Sequence, residues 1–92
     1  MKKIPRRDKL KIYGDLLSVL RSEGSSENIV LTHVQVRMNV PFDRLKNYIT
    51  EIKELQLIEE GLSLKLTKKG KQYLREYEQI VDFMKRMGLS YE

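Results

Sequence analysis

Only two residues, Asn39 and Val40, separate a segment that is predicted to be helical up to Met38 from a second helical segment that begins at Pro41. Asn tolerates the left-handed backbone conformation, and Pro41 disfavours the helical region at Val40 while suiting the first turn of a new helix. One helix must therefore end near Met38, and the next must begin near Pro41. A turn this tight between two helices restricts the possible folds more than any other feature of the sequence.

The length and composition allow one small globular core. The chain has 92 residues, of which 40% are hydrophobic and 34% are charged, and its net charge is +5. It contains no cysteine, which excludes disulfides, thiolate nucleophiles and cysteine zinc sites and favours a reducing, cytoplasmic setting. The longest apolar run is residues 29–31, so we expect no membrane-spanning segment and no signal peptide.

The first half of the chain contains signals for helix starts. Asp8 is suited to cap the first helix, and Gly14 within that helix indicates close packing, because glycine there costs about 1 kcal/mol relative to alanine. Thr32, followed three residues later by Gln35, has the form of a capping box. The predicted elements are a helix over residues 8–23, a short strand over 29–31 and a helix over 32–38.

The second half begins with an amphipathic helix. Apolar residues at 100° per residue form one stripe, composed of Leu45, Tyr48, Ile49, Ile52 and Leu55. Alternating leucines after Gly61 predict a short hairpin, Thr67 is suited to cap the last helix, and Gly88 ends it. The predicted elements are a helix over residues 41–55, strands over 57–60 and 62–66, and a helix over 67–87.

This order of elements is that of a mainly α winged helix-turn-helix with a small β-hairpin, written α-β-α-α-β-β-α. The run from Thr32 to Ile49, then Ile52, Leu57-Ile58 and Leu66-Thr67-Lys68-Lys69-Gly70-Lys71, resembles an archaeal family of small winged-helix DNA-binding proteins. The likeness covers about residues 8–85. It implies a transcription factor or nucleoid-type protein that dimerises through an extended C-terminal helix.

The sequence departs from that family pattern at three places. Gln56 stands where the family usually has a helix-ending glycine, so the helix must close with a costlier left-handed residue or with a different turn. Leu31 and His33 replace residues that are frequently basic in the family. The expected wing, residues 59–63, is short and carries Glu59 and Glu60, which makes it a poor minor-groove probe.

Two basic blocks are consistent with a phosphate polyanion or an acidic membrane as the partner, because clustered cations attract negative charge. A solvated surface with a loose basic tail is the alternative that charge alone leaves open. Residues 1–11 carry six basic side chains and one acidic one, and residues 61–75 carry five basic side chains and no acidic one. We expect the helix after Pro41 to read the major groove with Asn47 as the preferred base reader. Asp43 is expected to cap that helix, the alternative being an acceptor for a cytosine amine, and Phe42 is expected to pack in the core, the alternative being a half-exposed contact for a partner. The predicted DNA-binding residues are Lys2, Lys3, Arg6, Arg7, Thr32, Gln35, Arg37, Arg44, Lys46, Asn47, Thr50, Lys65, Lys68 and Lys69.

The last helix is expected to be about 30 Å long, at 1.5 Å per residue, and therefore too long for this core to cover alone. A homodimer would cover the remainder, although folding back over the first helix of the same chain is the alternative. The predicted interface consists of Tyr73, Leu74, Tyr77, Ile80, Val81, Met84 and Met87. The predicted domains are a basic arm over residues 1–7, the DNA-binding domain over 8–67 and the dimerisation helix over 68–92.

No constellation of residues favours catalysis, a cofactor or a small-molecule ligand. His33 is the single histidine and has no second ligand at helical spacing, so no metal site is expected. There is no glycine-rich phosphate loop and no Ser/His/Asp set. The chain is expected to be a non-enzymatic, cytoplasmic, nucleoid-associated protein that binds double-stranded DNA, either sequence-specifically or as a nucleoid-type factor, and acts as a transcriptional regulator. The alternative is a winged helix that binds a protein partner instead of DNA.

Overall fold

Four helices and two short strands make up the described part of the chain. The computed structural model describes residues 2–4, 8–24, 29–61 and 63–91. In chain order the elements are β1 (Lys2–Ile4), α1 (Lys9–Glu23), α2 (Leu31–Met38), α3 (Phe42–Glu54), α4 (Lys68–Arg86) and β2 (Leu89–Tyr91). The predicted mainly helical architecture is confirmed.

Helix α1 begins and packs as its sequence predicts. Asp8 Oδ1 accepts a hydrogen bond from the backbone N–H of Lys11 at 3.0 Å, so Asp8 is the N-cap. Gly14 is buried, and a Cβ at this position would overlap the ring of Tyr77. The close packing predicted for Gly14 is therefore confirmed, and its partner lies on α4.

The N-cap of helix α2 lies two residues earlier than the capping box predicts. Val30 is the N-cap, with no side-chain cap, and its carbonyl accepts from the backbone N–H groups of His33 and Val34. The capping box of Thr32 and Gln35 is wrong, because Thr32 already lies inside the first turn and not at the flanking position. The strand predicted over 29–31 is also wrong: Leu31 is helical, and residues 29 and 30 belong to no strand.

Left-handed residues end both helices of the tight turn. Asn39 has φ of 55° after α2, as its sequence position predicts, and Pro41 is the N-cap of α3. After α3, Gln56 has φ of 61°. The N–H of Gln56 bonds to the carbonyl of Lys53, and that of Leu57 bonds to the carbonyl of Ile52. This pair of bonds is a Schellman motif in which glutamine takes the position that glycine usually fills.

The predicted hairpin is reduced to a single antiparallel bridge, between Ile58 and Leu66. The Glu59 N–H also bonds to the Lys65 carbonyl at 2.8 Å. Leu64 has φ of 55°, which interrupts the extended conformation that the alternating leucines predict. Leu64 is nevertheless buried, so the described residues of this loop, 57–61 and 63–66, are held by the core more than by strand pairing. These residues are hereafter the 57–66 segment.

Helix α4 packs along α1 in the same chain. Gly70 lies so close to Leu57 that a Cβ would overlap the Leu57 carbonyl oxygen. The Tyr73 hydroxyl donates to the Leu10 carbonyl, and the Tyr77 hydroxyl donates to Asp15 Oδ1. The fully buried core side chains come from every helix and from the 57–66 segment: Leu16, Leu17, Leu20, Val34, Leu45, Ile52, Leu57, Ile58 and Leu74.

The two ends of the chain form a two-stranded parallel sheet. Lys2 pairs with Leu89, Lys3 with Ser90 and Ile4 with Tyr91. Strand β1 was not predicted, because residues 1–7 were expected to form a basic arm. The backbone at residues 2–4 is instead paired with β2, which follows α4 directly.

Candidate nucleic-acid interface

Helix α3 presents a polar face to solvent. Its apolar stripe is buried at Leu45, Tyr48, Ile49 and Ile52, which rotates the other side of the helix outward. Asn47 lies at the middle of that outward side and is exposed. The other exposed polar side chains over its first turns are Asp43, Arg44, Lys46 and Thr50.

Two predictions about the start of α3 are wrong. Asp43 lies in the first turn, but the N-cap is Pro41 and no side chain caps the helix. Phe42 is not a core residue: it is 38% exposed, with the ammonium of Lys46 5.9 Å from its ring centroid. As the first helical residue, Phe42 precedes the apolar stripe and lies on its edge.

A basic cleft lies between α3 and the 57–66 segment. It has a volume of about 300 Å³, and its polar lining side chains are Lys46, Thr50 and Lys53 of α3. The rest of the lining is Ile29, Leu31, Ile49, Gly61 and Leu64. None of the residues that line it is acidic. Lys53 was not predicted as a site residue, although its spacing of seven from Lys46 places both lysines on one side of the helix.

The opposite flank of α3 contacts the start of α1. Lys9 Nζ lies 2.6 Å from Glu51 Oε1, and the Tyr13 hydroxyl donates to the same oxygen. The hydrogen bonds from Lys9 and then Tyr13 lower the pKa of Glu51, and the bond to Glu51 raises the pKa of Lys9. Burial, and next the bond to Glu51, raises the pKa of Tyr13. Sequence reasoning missed these contacts, because they join residues about 40 positions apart.

Two predicted DNA-binding cations bond within the chain. Arg37 donates to Ser22 Oγ and to Glu23 Oε1, both at 3.1 Å, so it ties α2 to α1. Lys69 Nζ donates to the Leu55 carbonyl at 2.8 Å, at the C-terminal end of α3. Leu55 lies about 12 Å beyond Asn47 along the helix axis, at 1.5 Å per residue. Lys69 is therefore placed at the far end of α3 from the reading residues.

The remaining predicted residues are spread over the molecule. Thr32, Lys65 and Lys68 are exposed, and Gln35 is half-buried on α2. Arg6 and Arg7 lie outside the described residues, as do the side chains of Lys2 and Lys3. The structure therefore brings together Arg44, Lys46, Asn47 and Thr50 on α3, and does not gather the whole predicted set on one surface.

The predicted dimer interface comprises two different faces of α4. Leu74, Tyr77 and Met84 are buried within the chain, and Tyr73 and Val81 are packed against its core. These five need no second subunit to cover them. Ile80 and Met87 are 39% and 58% exposed. Phe83, which was not in the predicted interface, is 49% exposed, and the spacing of three and four places it on one separate stripe with Ile80 and Met87.

Among the described residues, no group of His, Cys, Asp and Glu side chains could hold a metal ion. His33 is exposed on α2. No helix in the described part of the chain is long and apolar enough to span a membrane.

The tight α2–α3 turn, the outward polar face of α3 and the 57–66 segment beside it define the architecture. A family model described as winged helix-turn-helix matches residues 6–85. The chain belongs to the winged helix-turn-helix family. Membership in this family implies nucleic-acid binding in general. No curated protein matches the chain, and no solved structure matches it.

Proposed function

We propose that the chain binds double-stranded DNA, with α3 in the major groove. One observation carries the proposal: the outward side of α3 presents Arg44, Lys46, Asn47 and Thr50 together. A major groove about 12 Å wide admits one helix, and a carboxamide such as Asn47 can pair with adenine in bidentate fashion. Lys46 and Lys53 in the basic cleft would contact the sugar-phosphate backbone beside the groove.

Binding to a labelled duplex, followed by fluorescence anisotropy over a salt series, tests this proposal. If each subunit neutralises about four to six phosphates, the logarithm of affinity falls with the logarithm of salt concentration by about 0.9 per contact. Affinity that does not respond to salt contradicts the proposal.

Asn47→Ala separates base reading from charge. The variant keeps the net charge, so we expect it to reduce the preference for genomic fragments over random competitor while leaving the salt slope unchanged. Gln79→Ala is the matched control, because Gln79 is an exposed carboxamide on α4. Equal effects of the two substitutions would exclude Asn47 as a base reader.

We further propose a homodimer through the exposed stripe of Ile80, Phe83 and Met87 on α4. Three large apolar side chains at helical spacing fit an antiparallel pairing with the same stripe of a second copy. Phe83→Lys should convert a dimer to a monomer in sedimentation equilibrium, whereas Phe42→Lys, at the other exposed phenylalanine, should not. A wild-type chain that sediments as a monomer would contradict this arrangement.

A twofold dimer would present two α3 helices to one duplex. Half-sites about 34–36 Å apart, or a multiple of that distance, would then follow from the geometry, and footprinting tests this spacing. Such a protein would act as a transcriptional regulator or a nucleoid-associated factor. The proposal assigns no catalytic activity to the chain.

A further inference from the structure

The reading helix carries three carboxylates, which is unfavourable for a surface that approaches phosphates. Asp43, Glu51 and Glu54 all lie on α3. Glu51 is one turn beyond Asn47, which is about 6 Å along the axis at 1.5 Å per residue. A negative charge at that distance lies well within the Debye length of about 8 Å at physiological salt, so it would repel a bound duplex.

Glu51 is the carboxylate that accepts hydrogen bonds from another helix, α1. The Lys9 ammonium and the Tyr13 hydroxyl, both on α1, bond to its Oε1 atom. The ammonium also lies 5.6 Å from the ring centroid of Tyr13 and 5.1 Å from that of Tyr48. The two rings lie beside the Lys9 ammonium, and Lys9 together with Tyr13 holds the Glu51 carboxylate on the α1 side of α3.

The other two carboxylates differ from Glu51 in position. Asp43 lies in the first turn of α3, where the partial positive charge of the helix N-terminus offsets it. Glu54 is the last residue of α3, exposed and about 10 Å beyond Asn47 along the axis at 1.5 Å per residue. The carboxylate closest to the reading residue on its C-terminal side is therefore the one that α1 neutralises.

We propose that Lys9 and Tyr13 are positioning residues that draw the Glu51 carboxylate towards α1 and cancel its charge, so that DNA meets Arg44, Lys46 and Asn47. This inference rests on the proposed DNA binding. It assigns Lys9 a role through Glu51 and not through a phosphate.

A double-mutant cycle of Lys9→Met and Glu51→Gln, read by anisotropy on one duplex at fixed salt, tests the inference. In the wild-type background Glu51→Gln should change affinity by less than about twofold, because its charge is already held away. In the Lys9→Met background the same substitution should raise affinity by about fivefold, because a released carboxylate is removed. Thermal melting of each variant ensures that only folded protein is compared.

The background in which Glu51→Gln gains more affinity distinguishes positioning of Glu51 by Lys9 from direct contact between Lys9 and a phosphate. If Lys9 bound a phosphate itself, removing Glu51 would free Lys9, and Glu51→Gln would gain more in the wild type than in Lys9→Met. Equal gains in the two backgrounds also overturn the inference. Loss of all DNA binding by the wild type is a different result, which refutes the proposed function itself.

Two further variants give independent readouts. Tyr13→Phe changes no charge, so it should weaken binding in the wild-type background and have no effect in Glu51→Gln. Glu54→Gln should raise affinity more than Glu51→Gln does, and the reverse order overturns the inference. The matched control is the exposed pair Arg86–Asp82 at 2.6 Å on α4, where Asp82→Asn should not rescue Arg86→Met.

Discussion

At the scale of single residues, three non-glycine residues in the described part of the chain have the left-handed backbone conformation that favours glycine. Asn39, Gln56 and Leu64 have φ of 55°, 61° and 55°. Asparagine adopts this conformation at low cost, whereas glutamine and leucine do so only where the surrounding structure requires it. At Gln56 the requirement is visible in the two Schellman bonds that end α3. The sequence left open whether α3 ends with a left-handed residue or with a different turn.

Gln56→Gly should stabilise the fold. Glycine accepts the left-handed conformation without a Cβ penalty, so we expect the free energy of unfolding to rise by about 1 kcal/mol in urea denaturation. Glu54→Gly is the control within the same helix end, and should lower stability by about 1 kcal/mol because Glu54 is helical. A Gln56→Gly variant no more stable than the wild type would show that the turn is not strained.

Glu51 also makes stability depend on pH. Its pKa is lowered in the folded state from an ordinary value of 4.5, so it contributes stability above that value, which is lost as the pH falls through the folded pKa. As the pH is lowered from about 6 to about 2, the free energy of unfolding should therefore decrease less steeply for Glu51→Gln than for the wild type. Glu59→Gln, at an exposed carboxylate, is the control. Identical curves for wild type and Glu51→Gln would contradict the assignment.

At the scale of elements, the helices could be predicted and their starts only in part. Hydrophobic spacing placed α1, α3 and α4, the capping box and the tight turn placed α2, and the caps at Asp8 and Thr67 are confirmed. Thr32 fits the same local pattern and caps nothing, because α2 extends back to Leu31, whose side chain packs against the core. Capping motifs describe local hydrogen bonds, whereas packing against other elements decides which residue begins the helix.

Thr67 and Thr32 give a matched test of that difference. The Thr67 hydroxyl accepts from the Gly70 N–H at 3.0 Å and donates to the Gln56 carbonyl, joining the start of α4 to the end of α3. Thr67→Ala should cost about 1–2 kcal/mol of unfolding free energy, and Thr67→Ser should retain most of it. Thr32→Ala should change stability by less than about 0.5 kcal/mol. Equal losses at both threonines would restore the capping box that the structure excludes.

Contacts between distant elements were beyond sequence reasoning, both in the fold and at the site. The outward side of α3 follows from 100° periodicity alone, and so do Arg44, Lys46 and Asn47 upon it. Lys9 and Tyr13 escaped prediction because their role depends on α1 packing beside α3. The ion pair of Arg37 with Glu23 escaped prediction for the same reason, since Glu23 lies on α1.

At the scale of the whole molecule, α1 and α4 pack against each other, and β1 pairs with β2. The prediction divided α4 from the DNA-binding domain at residue 68. The structure packs α4 on α1 through Tyr73 and Tyr77, so the last helix helps to build the core that holds α3. Strand β1 had no signal of its own, because its partner β2 lies at the other end of the sequence.

Removing residues 1–7 or residues 89–92 should lower stability to a similar extent. Each truncation removes one strand of the same three-pair ladder, which we expect to contribute about 1–2 kcal/mol at about 0.5–1.5 kcal/mol per hydrogen bond. The double variant Lys2→Gln and Lys3→Gln keeps the backbone pairing and should retain full stability in urea denaturation. If only the C-terminal truncation is destabilising, residues 2–4 act as a free arm.

The parallel direction of β1 and β2 has a mechanical consequence. The chain enters β1 at Lys2 and leaves β2 at Tyr91, which lie at opposite ends of the pair. A force that stretches the protein between its termini therefore slides one strand along the other and loads all three residue pairs together. The strand pair is therefore loaded in shear, so that all three residue pairs resist the force together and do not separate one after another.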